Sequence, residues 1–149
     1  MVMDKPSLKG RALRLLSTRE HSRAELERKL QSFEEEPGTL ARALDQLQEK
    51  GFINEQRVLE SVIYRRAGKL GAMRIKQELQ SKGLDAAAIG EALAGLQATE
   101  RERAQAVWKK KFGAPPQDAR ELARQLRFLA SRGFGAEVIR RVVGGAQDD

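Results

Sequence analysis

The sequence predicts an all-α protein, three tandem three-helix repeats in an elongated, curved array, and three observations predict it. Apolar residues recur at helical spacing along the whole chain, with no sustained alternation to support a strand. Helix-stopping Lys-Gly or Arg-Gly pairs occur at Lys50-Gly51, Lys82-Gly83 and Arg132-Gly133, where glycine adopts a left-handed C′ conformation cheaply. The chain also echoes itself: Leu30-Gln31-Ser32, Leu79-Gln80-Ser81 and Leu129-Ala130-Ser131 recur at separations of 49 and 50 residues. A period of that length marks an array of helical repeats, each burying its stripe against its neighbours.

Leu8, Ala12, Leu15 and Leu16 define a first helix over about residues 8–18. Ser22 followed by Glu25 is a capping box for the second, whose buried stripe is Leu26, Leu30 and Phe33. Glu34–Glu36 and Pro37-Gly38 break the chain, and the adjacent carboxylates there read as a solvated loop. Leu40, Leu44 and Leu47 mark the third helix. Asn54 caps a fourth, faced by Val58, Leu59, Val62 and Ile63.

The stretch from Gly71 to Leu84 forms the fifth helix, with Ile75 and Leu79 on one face. So thin a stripe on about 12 residues is marginal alone, so this helix must be part of something larger. Asp85 caps a sixth, faced by Ile89, Ala92, Leu93 and Leu96. Thr99 and Glu102 read as a capping box for a seventh, lined by Ala104, Val107, Trp108 and Phe112 and stopped by Gly113 and Pro115-Pro116. Asp118 with Glu121 opens the eighth, carrying Leu122, Leu126 and Leu129. Val138, Ile139, Val142 and Val143 form the ninth, before Gly144-Gly145. The repeats are expected over 8–51, 52–97 and 99–143, with 1–7 and 144–149 as flexible termini.

At 149 residues the chain is one domain or a short array of small ones. It lacks cysteine, so disulfides and thiolate chemistry are excluded, consistent with a reducing compartment. No apolar run approaches the roughly 20 residues a membrane helix needs, and the first ten residues hold no apolar signal region. A soluble, cytoplasmic protein without membrane contact is expected. For an enzyme the inventory is poor: a single histidine, no phosphate-binding glycine loop, and no metal-ligand cluster. No catalytic residue, metal or cofactor is expected. His21, beside a serine cap, reads as a local structural residue, and Gly133-Phe134-Gly135 as an interhelix turn.

Binding chemistry is richer. The net charge is +7, and residues 101–149 hold 11 basic against 6 acidic side chains, five of the seven net charges. Such an excess points to a polyanion or an acidic protein partner. The candidates are Arg74 and Lys76 on the fifth helix, Lys109, Lys110 and Lys111 on the seventh, and Arg124, Arg127, Arg132, Arg140 and Arg141 on the last two. Trp108, beside three lysines, is read as packing inward with Ala104 and Phe112 rather than stacking on a base. No helix concentrates the Arg, Asn and Gln that base readout needs, which disfavours sequence-specific recognition.

Five motifs in order carry a resemblance. Arg19-Glu20-His21-Ser22 with Glu25-Leu26 and Lys29-Leu30 opens the series, followed by Gly51-Phe52-Ile53-Asn54-Glu55 with Arg57. Arg74-Ile75-Lys76-Gln77-Glu78-Leu79 with Lys82-Gly83 is the most specific. Lys110-Lys111-Phe112-Gly113, then Arg127-Phe128-Leu129 with Arg132-Gly133-Phe134, complete it. From about Leu13 to Val143 the sequence resembles the RecX family of bacterial recombinase regulators, although the loop Glu34 to Gly38 is shorter than in some members.

The resemblance implies a three-repeat helical protein that binds RecA–single-stranded DNA filaments and restrains strand exchange, ATP hydrolysis and the coprotease activity that sets off the SOS response. It carries no catalytic residues across, and it makes the ten basic residues candidates for contact with RecA or DNA. A monomer is expected, since no heptad seam asks for a dimer. The competing reading is a nonspecific helical DNA-binding protein that acts by occupying DNA.

Overall fold

A computed structural model describes residues 5–148, with side chains through 145; the terminal segments 1–4 and 149, expected to be flexible, lie outside the described residues. Among the described residues there are nine α-helices and no strand. In chain order these are α1 (Leu8–Thr18), α2 (Arg23–Leu30), α3 (Thr39–Glu49), α4 (Glu55–Arg66), α5 (Ala72–Ser81), α6 (Ala86–Gln97), α7 (Glu100–Lys111), α8 (Ala119–Ser131) and α9 (Ala136–Asp148). They fall into three consecutive sets of three.

The helix ends explain why the chain divides there. The Ser22 hydroxyl accepts from the Glu25 amide while the Glu25 carboxylate accepts from the Ser22 amide, so both orphan donors of α2 are satisfied. Asp85 caps α6 and Asp118 caps α8 through the amide three residues on. Asn54 does the same for α4, its side-chain oxygen accepting from the Arg57 amide. At Gly51, Gly83 and Gly133, φ lies between +71° and +90°, the left-handed geometry that closes α3, α5 and α8.

Four local readings are corrected. Thr99 makes no capping bond; its hydroxyl is engaged elsewhere, donating to the Leu96 carbonyl and accepting from the Arg103 guanidinium one turn on. Phe33 lies in a 3-10 turn, Gln31–Phe33, and is 45% exposed rather than part of the α2 stripe. The tighter turn rotates it outward, where the Arg11 guanidinium sits 3.9 Å over its ring. Glu34 is more than a solvated loop residue, since its carboxylate accepts the Leu40 amide in the first turn of α3. Finally, α9 passes through Gly144-Gly145 and continues to Asp148, because two glycines weaken a helix without forbidding it.

The chain packs as two compact units. The first takes the chain up to Ser61 together with Ser81–Leu84, and the second takes Val62–Gln80 and everything from Asp85 onward. The core of the first unit is Ala12, Leu26, Leu30, Leu40, Leu44, Leu47 and Ile53, flanked by the partly buried leucines of α1. In the second, Ala104, Trp108, Leu129, Phe134, Ile139, Val142 and Val143 form one cluster. Ile75 and Leu79 are fully buried there, as the thin stripe on α5 required.

Each unit contains the same kind of joint. In the second, the amide of Gly71 donates to the Arg132 carbonyl at 2.8 Å and that of Met73 to the Gly133 carbonyl at 3.1 Å, while the Ala72 amide is taken by the Glu100 carboxylate. The unpaired donors at the start of α5 thus meet the unpaired acceptors at the end of α8, and two opposed helix-end charges cancel. In the first, the Ser22 hydroxyl donates to the Lys82 carbonyl at 2.6 Å, and Arg28 donates to the Ser81 carbonyl just as Arg74 does to that of Ser131. The 50-residue echo in the sequence is therefore the repetition of a contact.

Candidate functional site

Around the first joint the charged residues are committed to structure. His21 is 1% exposed; one ring nitrogen faces the Arg19 carbonyl at 3.0 Å and the other faces the Lys29 ammonium at 3.2 Å. The ammonium can only donate, so the ring is neutral with its proton on Nδ1. Burial, aided by the nearby Arg19 and Lys29 charges, holds its pKa below the usual 6.5 against the Arg19 carbonyl bond that favours the cation. Burial would push the Glu25 carboxyl upward, but bonds from Arg19, the Ser22 amide and Lys82 outweigh it and bring its pKa to about 2. The local structural reading of His21 is thus supported by its partners.

The second unit carries a cluster of cations that have no carboxylate partner among the described residues. Its centre is an aromatic pair, Phe112 and Phe128, edge to face with ring centroids 5.4 Å apart. The Lys111 ammonium lies 5.4 Å and the Arg132 guanidinium 4.9 Å from the Phe128 centroid, and Arg124 lies 5.4 Å from that of Phe112. These rings hold three exposed cations in place without neutralising them. Beside them runs a groove of about 450 Å³ whose charged lining is Lys69, Lys110, Lys111 and Arg132. No acidic residue lines it, and among the described residues none of the four has a carboxylate within ion-pair distance.

All ten sequence candidates are exposed, but they do not form one patch. Lys110, Lys111 and Arg132 come together in the groove, with Arg124 on the adjoining ring. Arg140 and Arg141 line a different depression with Arg101, where Arg141 pairs with Glu137 at 2.9 Å. Arg74 is held at the α5–α8 joint by the Ser131 carbonyl at 2.7 Å. Lys76, Lys109 and Arg127 stand exposed outside the groove. Lys69, which joins the site from the turn after α4, escaped the sequence reading because a lone lysine far from the basic third carries no local signal.

Trp108 faces inward as expected, 7% exposed within the same cluster as Ala104, and its indole N–H donates to Gln125 at 2.8 Å. Gln125 in turn donates to the Ala114 carbonyl. Among the described residues no group of His, Cys, Asp and Glu suits a metal ion, and no helix is long and apolar enough to cross a membrane.

Comparison with known proteins matches all three repeats. The family models for the first, second and third three-helix domains of RecX match residues 9–52, 54–93 and 99–143. The chain is 53% identical over 137 residues to a regulatory protein RecX of Leptothrix cholodnii, covering 92% of this chain and 87% of that one. It is 47% identical over 140 residues to one of Ralstonia nicotianae, covering 94% and 88%. Among solved structures, RecX from Lactobacillus salivarius superposes with a TM-score of 0.75 at 21% identity, covering 95% of this chain and 96% of that one, which shows a shared fold.

Proposed function

This chain belongs to the RecX family of regulatory proteins, and on that premise we propose that it regulates the RecA recombinase by binding the RecA–single-stranded DNA filament, restraining strand exchange, ATP hydrolysis and SOS coprotease activity. The observation that carries the reading beyond family membership is the row of unneutralised cations along one groove of the second unit. A nucleoprotein filament presents phosphate and protein acids in a repeating array. Contacts with successive protomers become effectively intramolecular after the first, so individually weak contacts sum to tight binding. Cations near the bound strand add salt-dependent affinity through counterion release. Neither a cofactor nor a second copy of the chain is needed for this action.

The groove also suits a protein that simply competes for DNA, and the two readings separate on stoichiometry. ATP hydrolysis by the cognate RecA on single-stranded DNA is followed while this chain is titrated far below the RecA concentration with DNA in excess. Inhibition at that ratio supports action on the filament. Inhibition only once DNA is saturated supports competition instead, and no inhibition at any ratio rejects both.

A further inference from the structure

We propose that the apolar slot between α8 and α9, flanked by Met73, is a docking site for an acidic amphipathic helix of a partner protein, whose large apolar side chain enters the slot while its carboxylates meet Arg140 and Arg101. This docking goes beyond the filament reading, since it involves neither DNA nor the recombinase. The slot has a volume of about 390 Å³, at the small end of the roughly 300–1,000 Å³ of ligand pockets. It is lined by Met73 of α5, Leu126 and Ala130 of α8, Phe134 in the turn, and Ala136 and Ile139 of α9, with Arg140 the single charged residue. Met73 is 61% exposed and flexible enough to adapt to what enters, whereas Phe134 and Ile139 are buried. Phe128 and Arg132, which line the basic groove, each lie two residues on from Leu126 and Ala130, about 200° around a helix, so the slot opens on the other side of α8.

The occupant follows from the slot and the depression beside it. Ala130 and Ala136 are exposed and carry only a methyl group, so the slot stays open where larger residues would fill it. Arg140 also lines the adjoining depression, together with Arg101 and Arg141. Glu137 there is engaged by Arg141 at 2.9 Å, and among the described residues neither Arg101 nor Arg140 has a carboxylate within ion-pair distance. Two uncompensated guanidiniums beside an apolar slot call for carboxylates next to an apolar side chain. A helix presents that combination on one face, at spacings of three and four residues. A nucleic-acid strand fits worse: Phe134, the one aromatic residue lining the slot, is buried, so no ring face is open for a base to stack on.

The test is fluorescence anisotropy of a labelled alanine-based helical peptide, with one leucine flanked by glutamates three and four residues to either side, titrated with the full-length chain without RecA. Replacing the peptide's leucine by alanine weakens binding by about fivefold or more, because the buried side chain is the central anchor. Met73→Lys weakens binding of the leucine peptide although it adds an attractive charge, since the slot loses an apolar wall. Arg140→Glu also weakens it, and binds a peptide with lysines in place of the glutamates better than the native chain does. Equal binding of the leucine and alanine peptides makes the surface a general anion site and overturns the proposal. So does unchanged or tighter binding by Met73→Lys, or no binding by the native chain. Sedimentation of the native chain as a dimer that Met73→Lys dissociates overturns it too, because a second copy then covers the slot. Met73 and Arg140 are exposed, so their variants fold, as far-UV circular dichroism checks. Because RecA is absent, failure here leaves the filament reading standing, and failure of RecA inhibition leaves this one.

Discussion

Gly71 and Gly133 leave no room for a methyl group between them: a Cβ on Gly71 would lie 2.4 Å from the Gly133 carbonyl oxygen, and one on Gly133 would lie 2.4 Å from the Arg74 side chain. Backbone meets backbone here because α5 donates amides directly to the carbonyls closing α8, and any side chain would hold the two helix ends apart.

Substituting either glycine should therefore destabilise the chain. Gly71→Ala loses the two amide–carbonyl bonds as the helix ends separate, and Gly133→Ala adds the strain of φ +90°. Each is expected to cost about 2–4 kcal/mol, combining lost hydrogen bonds with backbone strain. Gly90→Ala is the control: it lies inside α6 with nothing within 4 Å, so it should gain about 0.5–1 kcal/mol from helix propensity. Urea unfolding of the three variants measures the contrast; equal stability of Gly71→Ala and native protein would show that the joint does not constrain the fold.

Stability should also depend on pH in two separate windows set by the first unit. His21 is neutral when folded and its pKa lies below 6.5, so the unfolded chain takes up a proton first as pH falls. Its contribution is whole above about pH 6.5 and is lost on acidification as the imidazolium repels Lys29. Glu25, moved from 4.5 to about 2, contributes fully above about pH 4.5 and loses that contribution as pH falls toward 2. His21→Gln should flatten the fall in Tm between pH 7 and 5.5 and leave the lower window. Glu25→Gln should remove the lower window and, by unpairing Lys82 and Arg19, cost about 1–3 kcal/mol at pH 7. Thermal melts by circular dichroism across pH 3–7 check both.

The fold was legible because helix-forming signals are local. Ser22 with Glu25, Asp85 and Asp118 each cap within three residues, and Lys82-Gly83 stops a helix by its own geometry. Thr99 misled because its partner is Arg103, a competitor that capping rules do not weigh. The candidate site was legible only in part. Runs such as Lys109–Lys111 announce charge, but whether a cation is free depends on distant partners. Arg74, read as a projecting cation, is engaged by Ser131, 57 residues away, and Lys69 meets Lys110 and Lys111 only through packing. Two of the motifs behind the family resemblance, Arg19–Ser22 with Glu25 and Lys82-Gly83, prove to be the two sides of one joint.

The distribution of the ten cations predicts unequal effects on nucleic-acid affinity. Lys110 and Lys111 lie in one groove with Lys69 and Arg132 and without acidic neighbours, so their removal takes away phosphate contacts. Arg141 is already paired with Glu137, so Arg140→Ala/Arg141→Ala removes little free charge beyond Arg140. Each phosphate contact on a single strand contributes about 0.7 to the slope of log affinity against log salt. Lys110→Ala/Lys111→Ala should therefore lower that slope by about 1.4, and Arg140→Ala/Arg141→Ala by about 0.7 or less. Neither pair is buried, so helicity should not change. Anisotropy titrations on labelled oligothymidylate between roughly 50 and 200 mM salt measure both slopes. A larger loss from the arginine pair would move the contact surface from the groove to the depression beside α9, where Arg101 would then be the residue to test.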